Sequence, residues 1–181
     1  MAGVATGNIG LKRLKEDLMK IFGKSLGEYG AFSKLFLGLI LGVGILRLVL
    51  SIAGVPNSTA KWASVTGALL IGVLYYSIRV HTSGFGSYKQ LLPVFVLLSL
   101  TAQMVSVAAI ALAIFTGHDN IFSAPEFSGG GDGKTWLHAG AHLGIATPAV
   151  SLVGWLVGCL VMFVTKKLVT GGRDTKAAAS A

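Results

Sequence analysis

The chain has 181 residues, of which 53% are hydrophobic and only 12% charged, with a mean hydropathy of +0.74. A soluble domain carries about 25% charged residues, so this composition excludes an ordinary water-facing surface and makes lipid the expected solvent. The formal net charge is +8, but the basic residues flank apolar runs, which points to anionic headgroups rather than nucleic acid, and the single cysteine, Cys159, excludes both an intrachain disulfide and a CxxC metal site.

Residues 1–30 read as a cytoplasmic N-terminal segment with a basic amphipathic helix at about 8–29. Leu11, Leu14, Leu18, Ile21 and Phe22 recur at three- and four-residue steps, and Lys12, Arg13, Lys15, Glu16, Asp17 and Lys20 fill the other face. Asn8 is placed to cap it. The apolar region of a secretory signal is missing, and a basic amphipathic helix beside a membrane span is expected to lie in the headgroup plane.

Residues 31–168 are expected to form an all-α integral membrane domain, four transmembrane helices in an antiparallel bundle. The first span is predicted at about 35–53, with Gly38 and Gly42 as a GxxxG pair, a motif that lets two helix backbones approach closely. A turn with Pro56, Asn57 and Ser58 leads to the second span, about 62–78, where Ser64, Ala68 and Gly72 form a ridge of small residues and Trp62, Tyr75 and Tyr76 suit an aromatic belt. The linker VHTSGFGSYKQ contains a GFG, but no strand precedes it and no GK[ST] follows, so it reads as a turn rather than a phosphate loop. The third span, about 91–116, has no charged side chain and extends roughly 39 Å as a helix, against a hydrocarbon core of about 30 Å. Pro93 falls in its first turn, where a missing N–H is tolerated.

The long connection 117–142 holds three of the four histidines. Its SGGGDGK centre reads as a flexible tip, while Ile121, Phe122, Phe127 and Trp136 are apolar enough to enter the interface or pack on the bundle. The fourth span is predicted at about 143–165, with Gly154 and Gly158 as a second GxxxG pair. Pro148 is expected to kink it, with Thr147 and Ser151 satisfying the freed carbonyls. Residues 169–181 read as a disordered cytoplasmic tail.

An even number of spans puts both termini on one side. That side gathers Lys12, Arg13, Lys15, Lys20, Lys24, Lys34, Arg79, Lys89, Lys166, Lys167, Arg173 and Lys176, whereas the other has only Lys61 and Lys134. The excess of basic residues predicts cytoplasmic termini and an outer loop 117–142.

Counted from the cytoplasmic ends, Arg47, Thr66, Gln103 and Ser151 all fall roughly 20 Å along their helices, which predicts a polar layer within the membrane. Arg47 is its costly member, since a membrane-centred arginine costs about 2.5–3.5 kcal/mol on insertion scales and no span offers an acid to pair with it. Outward snorkelling to a lipid phosphate, the Gln103 carbonyl, a loop acid or an anionic ligand are its options. His138 and His142 share one helical face, and His118 and Asp119 sit at the outer end of the third span. His118, His138 and His142 are candidate haem ligands, and His118, Asp119, His138 and His142 a candidate transition-metal set. No nucleophile motif or intramembrane carboxylate pair is present. The expectation is therefore a non-catalytic structural or accessory subunit that forms homo- or hetero-oligomers with other membrane proteins. The alternatives are a haem- or metal-binding redox protein using the outer histidines, or a small channel or transporter with Arg47 and Gln103 on an anion path.

Overall fold

The computed structural model describes the backbone of residues 20–179 and the side chains of residues 20–169. Most of the expected amphipathic helix, residues 8–19, and the side chains of the tail lie outside the described residues. Helix α1 spans Leu26–Ile52, α2 Asn57–Ala60, α3 Val65–Thr82, α4 Tyr88–Thr116, α5 Trp136–Ala141 and α6 Thr147–Ala179. A 3₁₀ turn covers Pro125–Phe127 and a π-helical turn His142–Ala146. Four helical stretches, Leu26–Ile52, Asn57–Thr82, Tyr88–Thr116 and Trp136–Val169, are long and apolar enough to cross a membrane.

The first helix differs from expectation at its start. An amphipathic helix does not run on to Tyr29, because Ile21–Lys24 is a tight turn closed by Ile21 N–H to Lys24 O at 2.8 Å and Lys24 N–H to Ile21 O at 3.2 Å. Phe22 and Gly23 take φ values of 50° and 85°, which a continuous right-handed helix forbids. Ser25 then caps α1 in a reciprocal box: its Oγ accepts from Glu28 N–H, and the Glu28 carboxylate accepts from Ser25 N–H. The turn is fastened to the helices, since the Tyr29 hydroxyl donates to Ile21 O and Gln90 Nε2 to Phe22 O, each at 2.9 Å. At the other end of the chain, α6 continues past Lys166 and Lys167, where the sequence ends the span. Lysine favours helix, so leaving an apolar environment does not oblige the helix to stop.

Helices α3 and α4 occupy the centre. Helix α1 packs on both, and so does α6 from the other side. The most apolar window of each helix reflects this: 44% and 50% of those residues are buried in the second and third stretches, against 17% and 22% in the first and fourth. Glycines set the closest approaches. A Cβ at Gly44 would meet Val105 Cγ1 at 2.6 Å, at Gly72 the Phe36 ring at 3.0 Å, at Gly154 Val73 Cγ2 at 3.3 Å, and at Gly158 the Phe95 ring at 2.5 Å. Ala68 is buried in the same core, while Ser64 serves as the N-cap of α3 through its Oγ and Gly67 N–H, 3.0 Å apart. Gly38 and Gly42 behave otherwise: both are exposed, with open space where a side chain would stand. Among the described residues the first GxxxG pair packs against nothing, and Gly44 makes the contact instead.

Candidate functional site

The connection that follows α4 reaches the bundle through a short buried segment. Asn120, Ile121, Phe122, Ser123 and Ala124 are all buried. Asn120 organises them, because Nδ2 donates to Ala109 O of α4 at 2.7 Å, Oδ1 accepts from Phe122 N–H at 2.9 Å, and its own N–H donates to Ser123 Oγ at 3.1 Å. Ile121 N–H donates to Ser51 Oγ of α1 at 2.8 Å, and Asn57 Nδ2 to Glu126 Oε1 at 2.8 Å. That last bond holds the Glu126 carboxyl below the usual carboxylate range. The SGGGDGK stretch is tied into the loop by Gly130 N–H to Pro125 O at 2.8 Å and by Lys134, whose ammonium meets Asp119 at 2.7 Å and Asp132 at 3.4 Å. Hydrogen bonding to Asp119 raises the Lys134 pKa, and the Lys134 backbone N–H lowers that of Asp132. Gly133 lies against the Ser123 backbone, where any Cβ would collide. Asn120→Ala leaves Ala109 O and Phe122 N–H buried without these partners, each worth about 1–3 kcal/mol; thermal unfolding of the detergent-solubilised protein is expected to shift down accordingly.

Beneath this segment lies a cavity of about 270 Å³ lined from four directions. Arg47 enters from α1, Thr66 and Leu69 from α3, Gln103 and Ser106 from α4, and Phe122 and Phe127 from the loop, with His142 closing it at the π turn. Three members of the expected polar layer, Arg47, Thr66 and Gln103, therefore converge. Ser151 does not join them. It is buried, but its hydroxyl donates to Thr147 O at 2.6 Å in its own helix, and the neighbouring Val150 lines the cavity in its place.

His142 takes the open role because of Pro148. A proline lacks the N–H that would bond the carbonyl four residues back, and its ring crowds that carbonyl. The helix widens into a π turn just before it, with Thr147 N–H and Thr147 Oγ1 both donating to His142 O, a device common at functional sites. Thr147 O in turn accepts from Ser151 and from Ser99 of α4. The result turns His142 inward, where Nδ1 lies 2.6 Å from Gln103 Oε1. An amide oxygen only accepts, so Nδ1 carries the proton and Nε2 is left as an acceptor.

Arg47 is half-satisfied. Its guanidinium stands over the Phe122 ring at 5.1 Å and the Phe127 ring at 5.2 Å, both within cation–π range. Its Nε is buried and has no hydrogen-bond partner among the described residues. No carboxylate forms an ion pair with it there.

The histidine cluster assembles only in part. His138 and His142 are together, with ring centroids 5.0 Å apart, and His138 Nδ1 lies 3.0 Å from Gly133 O. His118 and Asp119 face a different cavity, of about 440 Å³, beside Ser51 and Leu112, and His118 Nδ1 is engaged with Thr116 O at 2.9 Å. No group of three or more His, Cys, Asp or Glu is arranged to hold a metal ion among the described residues. The His118–Asp119–His138–His142 set is thus not gathered at one cavity: α4 ends at a left-handed Gly117, and His118 and Asp119 line one cavity while His142 lines another. Asn120 and the His142–Gln103 pair were not apparent in the sequence; the HDN sequence following Gly117, rich in turn-forming residues, was the available signal for the first.

No protein-family model, no curated protein and no solved structure matches the chain.

Proposed function

We propose that this chain is a non-catalytic, multi-pass integral membrane protein that binds an anionic group in the cavity beneath its outer loop. Four spans alternate in direction in an antiparallel bundle, with both termini in the cytoplasm and the 117–135 loop outside. The distribution of basic residues supports that orientation. So do contacts that gather Lys24, Phe85, Tyr88 and Lys166 at one end, Lys24 over Phe85 and Lys166 over Tyr88, while Asn57, Glu126 and Lys134 lie at the other.

The observation that carries the ligand reading is the buried, unpartnered Nε of Arg47. A half-buried guanidinium whose Nε is desolvated without an acceptor is costly, and a carboxylate or phosphate supplies the acceptor geometry it lacks. Thr66 adds a hydroxyl donor, while the Ser106 hydroxyl already donates to Ala102 O at 3.4 Å. Leu69, Ile121, Phe122 and Val150 provide an apolar wall for a short hydrocarbon part, so the fitting ligand is a small anion with an apolar end. The volume lies just under the range typical of small-molecule sites. Calorimetric titration of the detergent-solubilised protein with octanoate and with inorganic phosphate tests this. A saturable heat with at least one of them, absent in Arg47→Gln, is expected; no saturable heat with either would end the reading.

A second reading, an accessory subunit that packs on another membrane protein or on itself, is supported by the exposed Gly38–Gly42 pair on α1. Gly38→Leu with Gly42→Leu is expected to reduce any oligomer seen by native mass measurement while leaving monomer unfolding unchanged. An oligomer indifferent to both substitutions would place the contact elsewhere.

A further inference from the structure

The opposite end of the molecule carries a second site with its own chemistry. An open groove of about 710 Å³ lies between α1 and α3, beside the Phe85 connection. Three cations line it, Lys24, Lys34 and Arg79, against a single acid, Glu28. Glu28 is already committed: its carboxylate accepts from Ser25 N–H at 2.7 Å and meets Lys24 Nζ at 3.5 Å. Neither Lys34 nor Arg79 has an acid partner among the described residues.

Aromatic rings fix the geometry of the wall. Phe32 and Phe85 stack at 3.8 Å, and Tyr29 meets Phe85 edge-on at 5.7 Å. Lys24 Nζ stands 4.6 Å from the Phe85 centroid, and Arg79 lies over Phe32 at 5.9 Å and Tyr75 at 5.6 Å. Arg79 Nη1 donates to the Tyr75 hydroxyl at 2.6 Å, which leaves that hydroxyl's own proton for another acceptor. Tyr76, on the groove floor, is fully buried, and its hydroxyl has no partner among the described residues. The Tyr75 phenol proton, Lys34 and Arg79 therefore face one opening, and no carboxylate pairs with either cation among the described residues.

We propose that this groove holds the phosphodiester of an anionic phospholipid from the cytoplasmic leaflet, with Arg79, Lys34 and Tyr75 on the phosphate oxygens. A lipid fits better than a free phosphate because the exposed Leu35 continues the groove onto the apolar face of α1, where an acyl chain belongs. A phosphate at a water–lipid boundary also meets cations already gathered there. The site rests on the same membrane placement as the cavity at the other end but shares none of its residues, so the lipid test and the small-anion test are decided separately.

Native mass spectrometry of the full chain, released from detergent with equimolar phosphatidylglycerol and phosphatidylcholine of matched acyl chains, tests it. Phosphatidylglycerol is expected to be retained about tenfold over phosphatidylcholine, an advantage lost in Arg79→Gln with Lys34→Gln, in line with the attraction of a membrane surface for each basic residue. Arg79→Lys should keep most of it, and Arg47→Gln and the pair Lys61→Gln with Lys134→Gln should leave it unchanged. Equal retention of the two lipids, or equal loss in the Lys61–Lys134 control, would overturn the proposal. Competition by soluble glycerol 3-phosphate at concentrations similar to the lipid would overturn the lipid assignment in favour of a free phosphate anion.

Discussion

Valine at Gly158 is expected to separate α6 from the centre of the bundle. A single Cβ there already meets the Phe95 ring at 2.5 Å and Ser77 Oγ at 2.9 Å. Neither neighbour has room to yield: Phe95 is 2% exposed, and Ser77 Oγ is held by Val73 O. Overpacking of this kind costs about 1–3 kcal/mol and sometimes more, and two further methyl groups add to the conflict. Thermal or denaturant unfolding in detergent should show the loss directly. Valine at Gly42, a residue of the same type in the same motif, meets open space and should change monomer stability by no more than about 0.5 kcal/mol. If the two substitutions cost the same, α6 does not pack as described.

Methionine at Arg47 is expected to move stability and binding in opposite directions. The substitution removes a half-buried guanidinium whose Nε is buried and unpartnered among the described residues, with rings but no anion beside it, and replacing a charge desolvated in this way with an apolar side chain of similar volume is often neutral or stabilising. Unfolding in detergent should therefore shift up or stay level. Binding of octanoate or phosphate should fall by roughly 10- to 150-fold, the loss of charge-assisted hydrogen bonds worth about 1.5–3 kcal/mol. A structural arginine would give the reverse pattern, with a less stable protein and no anion binding to lose.

The four helices long and apolar enough to cross a membrane were legible because a soluble core seldom requires an uncharged apolar run of that length. Depth counting put Arg47, Thr66 and Gln103 at one level, since the helical rise is fixed and the basic residues mark a common end; that they line one cavity came only from the packing. The same counting did not bring Ser151 to the cavity. Its neighbour Val150 reaches the cavity at that level, so the depth was right and the helix face, which depth does not fix, was not; the π turn before Pro148 lies beyond Ser151 and accompanies His142 on the cavity wall. Which glycines pack inward was also hidden. Lipid tails are as apolar as a helix interface, so Gly42 and Gly44 sit in equally hydrophobic surroundings in the sequence, and only the three-dimensional contacts separate them. The start of α1 was different in kind: Ser25 and Glu28 spell a capping box, but the apolar repeat through Ile21 and Phe22 carried the predicted helix across it. Asn120 shows the limit for loops, where one side chain's three hydrogen bonds arise from folding that no periodicity records.

The most direct measurement is the sidedness of two loops in sealed cells. In a Cys159→Ser background, single cysteines at Gly131 and at Ser83, both exposed, are treated with a membrane-impermeant maleimide. Gly131→Cys should label in intact cells and Ser83→Cys only after permeabilisation. Labelling of both under the same condition would put the two loops in one compartment and contradict the four-span arrangement on which both proposed sites depend.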